Sequence, residues 1–448
     1  MLSRLFARWR QPKPEAPAPA PAPAAPRPAT SRAPAAGTPA TGSPTSVSAW
    51  HLVTRRPLID SRGGIAGWDL RLSDWATQRL ARTNAQRVMQ ETYTFALLQA
   101  MRDATQGGRR PLLSLIGLGE TEALLPSLVP GTILIVGDGS GNPVERVASH
   151  LDELHAAGIR LAAPPEVLAA LPADYALLDG ARMGSAEVLR RCRHPAPAPG
   201  GWIATNLASF EEVADAVTHK VQLACGRFAD ARERPRKTMA PPLALNIATI
   251  LTALVNGKAP RDLAEMFKGD VTLSYRLLRY LSMAGVGHGR APQSIQDAVM
   301  LLGARELHRW LCVLLADAGV SPISRALHET ALTRGRLLEL LALARRERNP
   351  EQLFVLGAFS LLDLLLDVPL EVALALTPLP EPAVDALIAE TGPWRPYLEA
   401  ALAIEAGDPA RLDAACLQLG LTRDEVVAFN EKAAGWSTQA ASFAQQAG

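Results

Sequence analysis

The sequence predicts a multidomain protein: an α/β barrel-like domain over 48–235, an all-α domain over 240–440, and an unfolded basic and Pro/Ala-rich segment over 1–47. Three observations carry this. Short apolar strands alternate with helical stretches from Trp50 to about Asp230, the signature of a parallel sheet or barrel. After the basic, proline-bearing connection ARERPRKTMAPP (231–242) the pattern is helical throughout. Residues 11–46 hold 22 Pro or Ala in 36, which removes backbone donors and leaves little to bury.

The first ten residues, MLSRLFARWR, place Leu2, Leu5, Phe6 and Trp9 at helical spacing with Arg4, Arg8 and Arg10 between them. That pattern gives weak docking on an anionic membrane or a partner, and a plain disordered tail is the simpler reading. It lacks the extended apolar stretch and small-residue cleavage site of a secretory signal. The Pro/Ala segment that follows is a tether.

Six strands are legible in the first half: HLVTRRPLID, PLLSLIG, TILIV, IRLA, YALLD and WIATN. Between them lie helical stretches such as NAQRVMQETYTFALLQAMRDA and NPVERVASHLDELHAAG. The span of about 180 residues is small for an eight-stranded α/β barrel, which usually takes about 250.

In the second half, DVTLSYRLLRYLSMAG sets Leu273, Leu277, Tyr280, Leu281 and Ala284 on one face, with Arg276 and Arg279 on another. Ser294 and Asp297 have capping-box spacing for the helix SIQDAVMLL, which Gly303 ends. ARELHRWLCVLLA repeats the amphipathic pattern with Leu307, Trp310, Leu311 and Leu314. The run LFVLGAFSLLDLLL (353–366) is 14 residues long and contains Asp363, so it predicts a buried core helix; a membrane span needs about 18 or more apolar residues.

Charge and composition exclude several function classes. Hydrophobic residues make up 48% of a chain of net charge +2. Residues 1–46 contain six Lys/Arg and one Glu, leaving 40 basic against 43 acidic residues elsewhere. A slightly acidic folded part argues against nucleic-acid binding, which needs a clustered basic surface. Cys192, Cys225, Cys312 and Cys416 form no CxxC pair and read as reduced thiols of a cytoplasmic protein.

Motifs for chemistry are sparse. GDGSGN (137–142) follows a strand but has Asn142 where a dinucleotide fingerprint has its third glycine, so a structural turn is favoured. GVGHG (285–289) reads as a helix-terminating loop. No histidine is followed by aspartate, and His308 reads as a helix-face residue. The adjacent acids Asp152-Glu153, Glu211-Glu212 and Asp424-Glu425 suit solvated faces better than a shared metal. No G-x-S-x-G elbow occurs, and no cofactor is expected. Arg276, Arg279, Arg290, Arg305 and Arg309 gather around two helices and are the candidate partner-contact residues, with a solvated face as the simpler reading. In LHAAGIRLAAPPEVL (154–168), the carboxyl end of a strand, where α/β barrels place their chemistry, carries no acid, imidazole or thiol.

The stretch LSYRLLRYLSMAGVGHGRAPQSIQDAVMLLGARELHRWLCVLL (273–315) resembles the HDOD domain, a helical signalling module related to HD hydrolases but usually without their His-Asp metal dyad. LFVLGAFSLLDLLLDVPLEVALALTPLPEPAVDALIAETG (353–392) resembles the extension of bacterial proteins that join an EAL-like domain to HDOD. The half from about 48 to 235 then resembles the EAL-type barrel, whose active members hydrolyse cyclic di-GMP with metal ions held by acids at strand ends.

The departures from that pattern are systematic. WDLRLS stands for the family's Tyr-Glu-Leu-Leu-x-Arg, with Asp69 in the glutamate position and Ser73 at the substrate-binding arginine. The strand expected to end in glutamate ends at Val136 and Gly137; the paired aspartates are Ala162 and Ala163. In DYALLDG, Leu177 or Leu178 replaces a lysine and Asp179 remains; in the next strand Asn206 lies near a lost glutamate, and Cys225-Gly226 replaces Gln-Gly. The resemblance implies a non-catalytic bacterial signalling protein: a degenerate EAL-like scaffold joined to an HDOD half that contacts other signalling proteins. The alternatives are a receptor that binds cyclic di-GMP without cleaving it, and a residual phosphodiesterase.

Overall fold

The computed structural model describes residues 52–82, 86–114, 126–137, 144–229, 239–284, 292, 294–319, 321–375, 377 and 379–447. The tether, most of the 231–242 connection, the GDGSGN turn beyond Gly137, the GVGHG loop and Arg290 lie outside the described residues.

The first half is a closed barrel of eight strands in sequential order: β1 (Val53–Asp60), β2 (Ile65–Leu72), β3 (Arg110–Leu113), β4 (Ile133–Ile135), β5 (Arg160–Ala163), β6 (Tyr175–Asp179), β7 (Trp202–Leu207) and β8 (Leu223–Gly226). β1 runs antiparallel to both neighbours, β2 and β8, and every other pairing is parallel. This corrects the six-strand expectation. β8 is four residues long, too short to show alternation, and β2 follows β1 through a tight turn with no helix between them. In that turn Asp60 Oδ1 accepts from the amides of Arg62 and Gly64, at 2.9 and 3.0 Å, while Gly63 supplies a left-handed φ of 75°. A hairpin in place of one crossover helix, together with strands of three to six residues from β3 onward, fits eight strands into about 180 residues.

The lumen is filled by Leu58, Leu112, Ile133, Ile135, Ala162, Leu177, Ile203, Leu223 and Cys225. Strands with apolar side chains on both faces read as continuous hydrophobic runs. Around the barrel stand α1 (Asp74–Arg82), α2 (Gln86–Gln106), α3 (Val144–Ser149), α4 (Leu151–Ala156), α5 (Gly180–Met183), α6 (Ser185–Cys192) and α7 (Phe210–Thr218).

The second half is helical: α8 (Pro242–Val255), α9 (Pro260–Lys268), α10 (Val271–Ala284), α11 (Ile295–Asp317), α12 (Ser324–Ala344), α13 (Pro350–Phe359), α14 (Leu362–Leu366), α15 (Leu370–Ala375), α16 (Glu381–Val384), a π-helical turn (Asp385–Ala389), α17 (Arg395–Ala406), α18 (Pro409–Leu419) and α19 (Arg423–Ala447). Ser294 Oγ accepts from the Asp297 amide at 3.0 Å and caps α11. Gly303, at φ 73° and ψ 162°, breaks α11 where the sequence places a helix end. Leu273, Leu277, Leu281, Leu307, Trp310, Leu311 and Leu314 are all buried in one core. The run 353–366 is buried throughout, as its composition demands, but it forms two helices that part at Ser360-Leu361.

The halves share an apolar core. β1 and β2 are joined without a helix, so the outer face of the β8–β1–β2 seam lacks a cover from the barrel itself. Ile59, Ile65 and Ala224 on that face pack with Ile323, Ala326, Leu327, Leu361 and Leu365 of the helical half. The Ala326 amide donates to Gly63 O at 2.9 Å. Arg109, immediately before β3, reaches into the helical half and donates to the Glu329 carboxylate and to Thr438 Oγ1, while its other terminal nitrogen holds Ile65 O. No helix among the described residues is long and apolar enough to cross a membrane.

Candidate functional site at the barrel mouth

The carboxyl ends of β2 to β8, with the amino end of antiparallel β1, form one mouth. Side chains two residues apart on a strand share a face, so Asp69 and Arg71 of β2 point the same way, and the structure joins them. Arg71 Nε lies 3.0 Å from Asp69 Oδ1 and 2.9 Å from Oδ2. Asp69 is fully buried. Its Oδ2 also accepts from the Cys225 thiol at 3.5 Å. Burial first, and the Asp69 charge second, push the Cys225 thiol well up, so it is a neutral donor and a poor nucleophile. Burial opposes the charge on Arg71, but the charge and hydrogen bond of Asp69 outweigh it and raise its pKa.

A second acid, Asp179, is held in the same network. Asn206, at the end of β7 with a left-handed φ of 54°, donates through Nδ2 to Asp179 Oδ1 at 2.6 Å. Asn206 Oδ1 accepts from Arg71 Nη1 and from Arg56 Nη1, each at 3.2 Å. Asp179 Oδ1 also accepts from the Ala181 amide at 3.0 Å, capping α5. A continuous polar network thus runs Asp69–Arg71–Asn206–Asp179, with Arg56 of β1 as a second guanidinium. Beside it Thr205 Oγ1 is buried with no hydrogen-bond partner among the described residues.

The other strand ends among the described residues are apolar or committed elsewhere. Ala162 lines the lumen, whereas Ala163 faces the outer core. Of the two leucines in β6, Leu177 faces the lumen and Leu178 the outside. Ser73 Oγ accepts from the Ala76 amide at 3.1 Å, so this residue caps α1. Gly137 follows β4 at φ 77°, and a Cβ there would sit 2.9 Å from Val167 Cγ2.

A divalent ion needs several oxygen ligands with free lone pairs. Here Asp69 is closed by Arg71 and Cys225, and the Oδ1 of Asp179 is held by Asn206 and a backbone amide. No group of three His, Cys, Asp or Glu among the described residues could hold a metal ion. Among the described residues the donors at the mouth, Asp69 and Asp179, do not fit a site for two metal ions. Arg71 and Asn206 link these two acids.

The described arginines of the helical half differ in what holds them. Arg276 pairs with Asp317 at 3.1 Å, and Arg279 Nη1 donates to Tyr275 Oη at 3.2 Å. Arg305 is 71% exposed, 3.8 Å from Glu351. Arg309 is only 12% exposed, bound bidentately to Glu339 at 3.0 and 3.3 Å and stacked 4.2 Å over Phe354. Arg290 lies outside the described residues. Sequence reading missed Arg56 and Arg71; the two-residue spacing of Asp69 and Arg71 within a strand is the signal that reveals the second of them.

No family model matches the chain. Over 176 residues, 38% of the chain and 41% of the relative, it is 29% identical to the uncharacterized protein YuxH of Bacillus subtilis. Over 169 residues, 38% of the chain and 39% of the relative, it is 28% identical to the cyclic di-GMP phosphodiesterase CdgJ of Vibrio cholerae. The chain therefore spans about two-fifths of the length of these curated relatives. Among solved structures, an EAL domain protein from Listeria monocytogenes is 14% identical with a TM-score of 0.31, covering 43% of the chain and 94% of that protein. The Bacillus subtilis YkuI protein, with an EAL domain and in complex with c-di-GMP and calcium, is 9% identical with a TM-score of 0.30, covering 57% and 73%.

Proposed function

We propose that the protein acts in cyclic di-GMP signalling as a non-catalytic regulator, with an EAL-like barrel kept as a scaffold and an HDOD-like helical half that contacts other signalling proteins in the cytoplasm. The observation that carries this reading is the internal closure of the mouth: Asp69 bonds Arg71 and Cys225, and Asp179 bonds Asn206. Hydrolysis of a phosphodiester by two metal ions requires carboxylates to offset the repulsion between the cations and a metal-activated water. Among the described residues, Asp69 and Asp179 at this mouth are already neutralised or hydrogen-bonded by neighbours of the same chain. Similarity to a cyclic di-GMP phosphodiesterase over part of the chain supports the signalling context.

A second reading draws on the guanidinia. Arg56 and Arg71 converge on one acceptor, Asn206 Oδ1, beside Thr205 Oγ1, which has no hydrogen-bond partner among the described residues. Guanidinium groups suit phosphate oxygens, so the mouth could bind cyclic di-GMP without cleaving it.

Incubation of the purified protein with cyclic di-GMP and magnesium or manganese separates these readings from catalysis. The expected result is no linear product. Turnover that disappears in Asp69→Asn or Asp179→Asn would overturn the non-catalytic reading. Calorimetric titration with cyclic di-GMP then decides between scaffold and receptor: saturable heat that Arg71→Ala abolishes establishes the receptor.

A further inference from the structure

Asn206 reaches the barrel mouth through an irregularity in β7. Ala204 pairs with Ala224 of β8 and Leu207 with Gly226, so Thr205 and Asn206 together stand against Cys225 alone. This is a β-bulge. Ala204 and Leu207 both pack in the outer core although three positions separate them. Strict alternation would put Asn206 on that outer side as well. The extra residue turns its side chain into the mouth instead, at a left-handed φ of 54°. Two glycines leave room for it: a Cβ on Gly180 would lie 2.5 Å from Asn206 O, and one on Gly226 would run into Leu207 O.

The carboxamide is held from both ends. Arg56 and Arg71 each direct an Nη1 at Asn206 Oδ1, at 3.2 Å, and Asn206 Nδ2 donates to Asp179 Oδ1 at 2.6 Å. Two guanidinia bracketing one oxygen suit an oxygen of phosphate. Here that oxygen is neutral and belongs to the chain itself. On the preceding residue, Thr205 Oγ1 is buried with no hydrogen-bond partner among the described residues.

We propose that Asn206 is a built-in plug of the barrel mouth: its carboxamide oxygen takes the place of a phosphate oxygen between Arg56 and Arg71, and a phosphate-bearing ligand enters by displacing it. The proposal rests on the reading of the mouth as a receptor and adds what regulates it. A neutral oxygen is a weaker partner for two guanidinia than an anionic one, because hydrogen bonds between opposite charges are shorter and stronger. The plug competes because it is part of the chain and gives up no translational freedom on binding. Its departure strands neither acid: Asp179 keeps the Ala181 amide, and Asp69 keeps Arg71 Nε.

Asn206→Gly removes the plug at a φ that suits glycine and so preserves the bulge; Asn206→Ala is the second variant. The full chains are titrated by calorimetry with cyclic di-GMP and with inorganic phosphate in metal-free buffer, and thermal melts establish which variants are folded. Asn206→Gly should bind at least one probe at least tenfold more tightly than wild type, and adding Arg56→Met should remove the gain. A gain with cyclic di-GMP alone assigns the mouth to a nucleotide, and a gain with phosphate alone to a free anion. Binding to the variants with none to wild type keeps the plug and sinks the receptor reading for the native chain. Unchanged affinity in the folded variants, or a gain that survives Arg56→Met, would overturn the plug. Weaker binding in both variants would overturn it too, with Asn206 then a ligand contact and the receptor reading intact. No binding by any of the proteins would remove both.

Discussion

Replacing Arg109 by methionine should unfold the junction between barrel and helices more than any change of comparable size on the surface. Arg109 is 16% exposed and Glu329 11%. The guanidinium bonds three acceptors from three parts of the chain: Ile65 O, the Glu329 carboxylate and Thr438 Oγ1. Removing one partner of a buried pair costs about 3–5 kcal/mol, and the residual exposure lowers this to roughly 2–4. Thr438 still donates to Glu329 at 2.9 Å and recovers part of it. Burial already raises the Glu329 pKa, and Arg109 is the main influence lowering it; without Arg109 it rises further. A carboxyl with a folded pKa above its unfolded value keeps its proton longer in the folded state. Stability therefore falls as pH rises from about 4.5 through the folded pKa, and R109M should be less destabilised at pH 5 than at pH 7. Urea unfolding of wild type, R109M, E329Q and the double variant at both pH values is the assay. The double variant should lie within about 1 kcal/mol of E329Q alone. A cost of R109M below about 0.5 kcal/mol, the size of an ordinary surface change, would refute the junction as described.

Gly63→Ala puts a methyl 1.8 Å from Pro322 O at a φ of +75°; left-handed backbone alone costs about 1–2 kcal/mol, so the melting temperature should drop by several degrees. Arg305→Glu, at an exposed position, should stay within about 0.5 kcal/mol of wild type in denaturant titrations, whereas Arg309→Glu places two carboxylates together and should cost about 3 kcal/mol or more. Charge reversal at Arg305 alone is therefore the clean probe of partner capture by the helical half. His328 is fully buried, and burial lowers its pKa despite Asp317 at 3.7 Å. A base whose folded pKa is depressed loses stability as pH falls below its unfolded value of about 6.5. The stability of wild type should thus decline more steeply from pH 7.5 to 5.5 than that of His328→Gln.

What the sequence revealed follows from how local each feature is. TILIV, IRLA, YALLD and WIATN were legible as strands because a barrel wall covered on both sides selects unbroken apolar runs. LACG was not, since four residues carry no period. The helical faces around Leu273, Leu277, Leu307 and Leu311 could be read from spacing alone, and all four are buried. The break at Ser360 could not: a run buried on every side has no moment to interrupt, and Ser360 Oγ turns back to Gly357 O at 2.7 Å. At the mouth, Asp69 and Asp179 stood in the text, but the guanidinium network that links them did not. Asn206 joins Arg71 across 135 positions, and no pattern within a single strand encodes that.

The direction of β1 decides whether the two halves can be parted. A barrel whose strands each brought their own helix could be cut free with its wall still covered. In this chain Ile59 and Ile65 lie against Ile323, Ala326 and Leu327, and the backbone of Gly63 is hydrogen-bonded to Ala326. Each half finishes the hydrophobic interior of the other. Removing the helices would leave Ile59, Ile65 and Ala224 without their apolar cover and expose them to water.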